Sequence, residues 1–287
     1  MNSLAYFIIA TASVLAGCGN NTNRQTAGET ENDSTAIQEI KTINTDGTEV
    51  SWIRDNAEER LMPRSLFADA PDSIFSKLKL ADGIPSSMSA FLVRKEGISI
   101  LFDTGLGGDN SRLIPNLKSL GTEAADIRYL YLTHFHGDHI GGMMKGDSIV
   151  FPNAEIYASK AEYEAWMNMP ATQNAQVVKT MNAYKRHLHL FEFGDTLPGN
   201  VIAINAIGHT PGHTAYQTGK LIIVGDLMHG TALQYAHPEY CADYDMDKEK
   251  SIETRKNILK YANDNGLTMA GMHFPDPGFI NPETGRQ

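Results

Sequence analysis

Cysteine is scarce in this chain, with only Cys18 and Cys241 among 287 residues. So few thiols leave no disulfide framework to staple the fold, and stability must come from a packed core. Clusters of basic residues are also missing. Lys and Arg number 24 against 34 Asp and Glu, a formal net charge of −10, and no Lys/Arg patch suggests a groove that tracks phosphates. That balance argues against a nucleic-acid partner. The apolar stretch from Leu4 to Leu15 is too short for a comfortable transmembrane helix, and no internal repeat is evident. What remains, with 41% hydrophobic residues, is a globular composition able to bury a sizeable core.

The short apolar stretch reads as an export signal. It ends in Leu15-Ala16-Gly17-Cys18, which resembles a bacterial lipoprotein box in which cleavage leaves the cysteine to carry lipid. The opening Met1-Asn2-Ser3 lacks Lys and Arg, so ordinary secretory cleavage nearby stays open as the alternative. From Gly19 to about Thr45 the chain is rich in Asn, Thr, Glu and Gly, the composition of a flexible tether. The expected organisation is a signal peptide at 1–17, a lipid-attachment cysteine and tether at 18–45, and a folded domain at 46–287. The expected location is periplasmic or cell-surface, with membrane attachment only through Cys18. Cys241, outside every ligand-rich motif, reads as a small, partly buried residue.

Within the domain, Val50-Ser51-Trp52-Ile53 suggests a first strand, and Ser89–Arg94 with Ile98–Phe102 flanks a hairpin turn at Lys95-Glu96-Gly97. Further strands are expected at Tyr129–Leu132, Glu155–Tyr157, Val201–Ile207 and Leu221–Val224. Helices are expected at Gly141–Met144, from Ser159 to Met167, near Ala175–His187, and over Asp247–Asn263 with Asp247 as N-cap. Leu61–Phe67 is broken by Pro63 and reads as a loop or short turn rather than a core element.

The richest stretch is Thr133-His134-Phe135-His136-Gly137-Asp138-His139-Ile140-Gly141-Gly142. It follows the apolar run Tyr129–Leu132 and packs four strong metal ligands into six residues. Leaving a strand, His134 and His136 share a face, while Asp138 and His139 lie beyond Gly137 and can turn to a second position. One zinc ion, which keeps a position for water, cannot readily use all four; two ions can. The pattern therefore points to a dinuclear hydrolytic site.

This spacing resembles the metallo-β-lactamase superfamily signature His-x-His-x-Asp-His. Three further motifs resemble that superfamily in the same order: Phe102-Asp103-Thr104-Gly105, then Gly208-His209-Thr210-Pro211-Gly212-His213-Thr214 followed by Gly225-Asp226, and last Gly271-Met272-His273-Phe274-Pro275. The resemblance spans roughly residues 48 to 287. It implies an α+β four-layer αβ/βα sandwich. It implies a first metal held by His134, His136 and His213, a second held by Asp138, His139 and His273, and Asp226 bridging the two. Zinc is the expected ion, with iron, manganese or cobalt as alternatives. A metal-bridging hydroxide would then attack the substrate. His209 is expected in a supporting role, and Asp103 either orients a ligand histidine or closes its own turn. His187, His189 and His237 carry no motif context and are expected at the surface.

Asp226 narrows the branch. Dinuclear β-lactamases of the superfamily generally have cysteine or no ligand there, and glyoxalase II carries a C-terminal helical domain for which this chain leaves no room. The segments Leu61–Phe67, Asp103–Gly107, Gly225–His229 and His273-Phe274-Pro275 resemble the N-acyl-homoserine lactonase and methyl parathion hydrolase branch. That resemblance implies hydrolysis of a lactone or related ester, with phosphotriesterase activity as a side reaction. The partner would be a small ester or lactone; oligomeric state stays open. Many lactonases place tyrosine three residues beyond the bridging Asp, whereas this chain has His229. Asp138 and His229 are therefore the candidate catalytic residues. The alternatives are a β-lactam hydrolase of the same fold and a non-catalytic metal-binding lipoprotein.

Overall fold

Seven strands follow one another across the first sheet in chain order: β1 (Ile40–Thr45), β2 (Thr48–Arg54), β3 (Ser89–Lys95), β4 (Ile98–Phe102), β5 (Tyr129–Tyr131), β6 (Glu155–Ser159) and β7 (Leu188–Phe191). They come from a computed structural model that describes residues 39–281, so the stretch read as an export signal and Cys18 lie outside the described residues. The first four strands pair antiparallel, and β4 through β7 pair parallel. A second sheet carries six strands: β8 (Thr196–Leu197), β9 (Val201–Asn205), β10 (Thr214–Thr218), β11 (Leu221–Ile223), β12 (Thr268–Ala270) and β13 (Phe279–Ile280).

Alternation along the strands builds the layers. On β3, Phe91 and Val93 join Trp52, Phe102, Tyr131, Tyr216 and Ile223 in the core between the two sheets. Their neighbours Ala90 and Leu92 face the other way, toward Leu117, Trp166, Val177 and Met181 under the outer helices. On the far side, Ile222 and Val224 pack against Ile258 and Ala262 of the helix Lys248–Asn265. The result is the expected αβ/βα sandwich.

Two expectations need correcting. Leu61–Phe67, read as a loop outside the core, enters a short strand (Arg60–Met62) and a 3-10 turn (Arg64–Phe67), with Met62 and Phe67 buried in a core cluster. Residues 40–45, read as tether, form edge strand β1, which pairs with β2 through its whole length. The two are closed by Asp46-Gly47, both at positive φ as a two-residue hairpin turn requires. Half-buried and polar, β1 lacks the apolar signal of a core strand, yet Asp-Gly between alternating segments is a hairpin signal in its own right. The hairpin at Lys95-Glu96-Gly97 is found as expected, with Glu96 and Gly97 at positive φ. The helix expected at Gly141–Met144 starts earlier, at Gly137–Ile140, and continues as a 3-10 turn to Met143. The long C-terminal helix is capped as expected: Asp247 accepts a hydrogen bond from the Lys250 N–H at 2.9 Å.

Candidate metal centre

The ligand-rich loops leave the same edge of the sandwich. Asp103 follows β4, His134 follows β5, Asp226 follows β11 and His273 follows β12, each within a few residues of the strand's carboxyl end. The loop 206–213 enters β10 from that same side. Sheet geometry thus gathers residues far apart in sequence.

Three imidazoles meet there. His134 Nε2 lies 3.0 Å from His136 Nδ1 and 3.2 Å from His209 Nε2, and His209 Nε2 lies 3.0 Å from His136 Nδ1. The outer nitrogens settle the tautomers. His209 Nδ1–H donates to Asp245 Oδ1 at 3.0 Å, and Arg255 Nη2 donates to the other carboxylate oxygen at 3.0 Å. Thr133 donates its hydroxyl hydrogen to Asp103, so Thr133 Oγ1 accepts from His134 Nδ1–H at 3.0 Å. Both Nε2 atoms therefore present lone pairs to each other inside a buried site. A cation reconciles them.

The neighbouring group is built from Asp138, His139 and His273. His139 Nδ1–H donates to Asp103 Oδ2 at 2.7 Å, and His273 Nδ1–H donates to the Ser87 carbonyl at 2.7 Å. Their Nε2 atoms face Asp226: His139 at 3.2 Å from Oδ1 and His273 at 3.0 Å from Oδ2, with Asp138 Oδ2 at 3.5 Å from His273. Asp226 Oδ2 also stands 3.4 Å from His209 Nε2, so this carboxylate lies between both groups. His139 Nε2 and Asp226 Oδ1 are buried without a hydrogen-bond partner. Buried, convergent and left unpaired, these donors fit two divalent cations.

Protonation separates the groups. Burial pushes His134 well below the ordinary histidine value and holds His136 and His209 near about 4. Burial would also lower His139 and His273, but the carboxylates outweigh it, Asp226 first, and both histidines are raised. Asp226, which burial alone would raise, is held well below the usual carboxylate range by His139 and His273.

His213 is not where the sequence motif suggested. Its Nδ1–H donates to the Ala206 carbonyl at 2.9 Å, and its Nε2 accepts the Asp226 backbone N–H at 3.0 Å. Both ring nitrogens are used, and none is left for a metal. His209, four residues earlier, takes the place expected of His213. Gly225, at φ +54°, lies so close that a Cβ there would strike the His213 ring. His213 is a crossbar under the Asp226 loop.

The other expected residues fall as follows. His134, His136, Asp138, His139, Asp226 and His273 are brought together. Asp103 accepts from the Thr133 N–H, the Thr133 hydroxyl and His139, the orienting role rather than a self-contained turn. His229 is buried with neither ring nitrogen hydrogen-bonded; it stacks on His273 and its Nε2 is 3.3 Å from Asp226 Oδ2. His187 and His189 are half-exposed beside Glu155, and Cys241 is buried with its Sγ 3.8 Å from Arg255 Nη1. Sequence reasoning missed Asp245, Arg255 and Glu162. A cavity of about 610 Å³ opens above the centre, lined by Met62, Met88, Leu106, Tyr244, Arg60 and His229 among others.

The metallo-beta-lactamase superfamily model matches residues 84–272, and the chain belongs to that superfamily. An N-acyl homoserine lactonase from a Bacillus species is 32% identical over 105 residues, covering 37% of this chain and 38% of the relative. The N-acyl homoserine lactonase of Bacillus thuringiensis is 28% identical over 123 residues, covering 41% and 45%. The chain thus spans less than half the length of these curated relatives. Among solved structures, the dizinc quorum-quenching lactonase AidC, bound to a product N-hexnoyl-L-homoserine, aligns with a TM-score of 0.78 at 26% identity, over 86% of this chain and 94% of AidC. The hydrolase AbOPH of the beta lactamase superfamily aligns with a TM-score of 0.75 at 28% identity, over 85% and 93%.

Proposed function

We propose that this chain is a dinuclear metal-dependent hydrolase of small lactones or related esters. The carrying observation is the pair of ligand groups sharing Asp226 on the floor of an open, largely apolar cavity. His134, His136 and His209 would hold one ion, and Asp138, His139 and His273 the other. Such ions, when bound, supply a water nucleophile at neutral pH and polarise the scissile carbonyl. The chain's own residues do the rest. Asp245, Asp103 and the Ser87 carbonyl fix the ligand tautomers, and Met62, Met88, Leu106 and Tyr244 offer an apolar wall for an acyl tail. His229, with two unpaired ring nitrogens beside Asp226 and His273, donates a hydrogen bond to a substrate oxygen.

The test is metal content by mass spectrometry, with turnover of lactone, aryl ester, phosphotriester and β-lactam substrates. Two ions per chain and preference for a lactone or ester are expected. Less than one ion and no turnover would leave the non-catalytic binder, and preference for the β-lactam would move the chain to that branch. His229→Ala should lower turnover by roughly ten- to a thousandfold with both ions retained. We also propose export and anchoring through Cys18; a Cys18→Ser protein that still carries lipid would end that reading.

A further inference from the structure

Glu162 lies in the helix Lys160–Met167, about 1% exposed, and no Lys, Arg or His side chain pairs with it among the described residues. Four donors hold it instead. The Phe135 N–H donates to Oε1 at 2.9 Å and Trp166 Nε1–H at 2.6 Å; the Thr210 hydroxyl and the Gly212 N–H each donate to Oε2 at 2.8 Å. Phe135 stands between His134 and His136. The Trp166 ring meets His136 edge-on, with centroids 5.6 Å apart. Thr210 follows His209 directly. Each histidine of the first ligand group is thus tied to one carboxylate, and no residue of the second group hydrogen-bonds to that carboxylate among the described residues.

The approach is close by construction. A Cβ at Gly212 would collide with the Glu162 backbone, and Ser159 Oγ donates to the Gly212 carbonyl at 2.8 Å while accepting the Glu162 N–H. A buried anion held only by dipoles is costly unless a cation lies nearby. The centre braced by these loops is where that cation would sit.

We propose that Glu162 is a positioning residue for the first metal. It sets the spacing of the 134–136 and 209–212 loops and supplies buried negative charge that favours a cation between them. This rests on the metal-centre reading above. Glu162→Gln keeps the side-chain volume but turns an amide N–H₂ toward one of the two donor pairs, and each pair includes a backbone N–H that cannot reverse.

The experiment titrates metal-free protein with Co²⁺, following visible absorption against a competing chelator, in two backgrounds. With Asp138→Ala, which disables the second group, Glu162→Gln should weaken the remaining ion by about 10- to 100-fold. With His136→Ala, which damages the first group, it should change the remaining affinity by less than about twofold. Equal losses in both backgrounds would make Glu162 a general support of the fold, and an unchanged first-site affinity would remove it from the centre. Either result overturns the proposal. If Glu162→Gln fails to fold by circular dichroism, Thr210→Val, which removes one donor, decides the matter by the same selectivity. Failure of the unmodified protein to bind cobalt would instead sink the metal-centre reading itself.

Discussion

Two neighbouring ligand groups share Asp226 yet are supported in different ways. His134, His136 and His209 are three imidazoles kept neutral by burial, held from behind by Asp245, Thr133 and Glu162. Asp138, His139 and His273 form a group in which Asp226 and Asp138 raise both histidines, so a proton is held more tightly there than in the first group. The first is preorganised for a cation; in the second, a cation must compete with protons. The difference teaches that two ions in one fold need not bind alike, because the charge of the ligand set decides what each must displace.

The hardest break comes at the shared residue. Asp226→Ala should lose both ions and bring turnover to background, read by metal analysis; retention of either ion at full occupancy would show that the groups do not depend on a common bridge. Next in size are the one-sided losses. His209→Ala should weaken the first ion by about a hundredfold or more, while Asp138→Ala and His139→Ala should empty the second preferentially. A His209→Ala protein with normal cobalt spectra and normal affinity would return His213 to the ligand set.

The pH dependence sharpens the contrast further. His139 and His273 are raised in the metal-free protein, so a second ion must expel their protons. His136 and His209, near about 4, are already neutral at pH 7. Second-ion affinity should therefore climb as pH rises above the ordinary histidine value, and fall first on acidification, while first-ion affinity stays nearly flat. Calorimetry in buffers of different ionisation enthalpy counts the protons, and equal release at both steps would contradict the assignment. The smallest effect is expected at His213. Removing it costs the Ala206 bond and leaves the Asp226 N–H unpaired, about 1–3 kcal/mol of stability, with both ions retained. Thermal melting with parallel metal analysis reads both.

Much of this was legible in the sequence. His-x-His-x-Asp-His after an apolar strand could be read as two ligand groups because strand periodicity and the Gly137 turn are local. Asp103 was legible as a residue near that loop, since both follow strands. The choice between His209 and His213 was not, because Gly-His-Thr-Pro-Gly-His offers two histidines in like settings. What separates them is tertiary: Asp245, 36 residues away, receives one ring, and the Ala206 carbonyl with the Asp226 N–H consumes the other. Glu162 was hidden differently. Ser159 and Glu162 have the spacing of a helix capping box, a local pattern that accounts for the residue without any long-range role. Its side chain turns instead to two loops far along the chain.

The Ser87 carbonyl that orients His273 has a consequence for how the molecule is put together. The two residues are 186 positions apart, whereas His209 and His134 are separated by 75. Closing the longer loop costs roughly 1 kcal/mol more in chain entropy, and it also waits on β12 reaching the rest of its sheet. We expect His273 to be the last ligand of the centre to take its place as the chain folds. Pulsed hydrogen exchange during refolding would see the amides near 134–140 protected before those near 270–274. A cation captured early by the three imidazoles would then fasten the middle of the chain while its end is still finding its place.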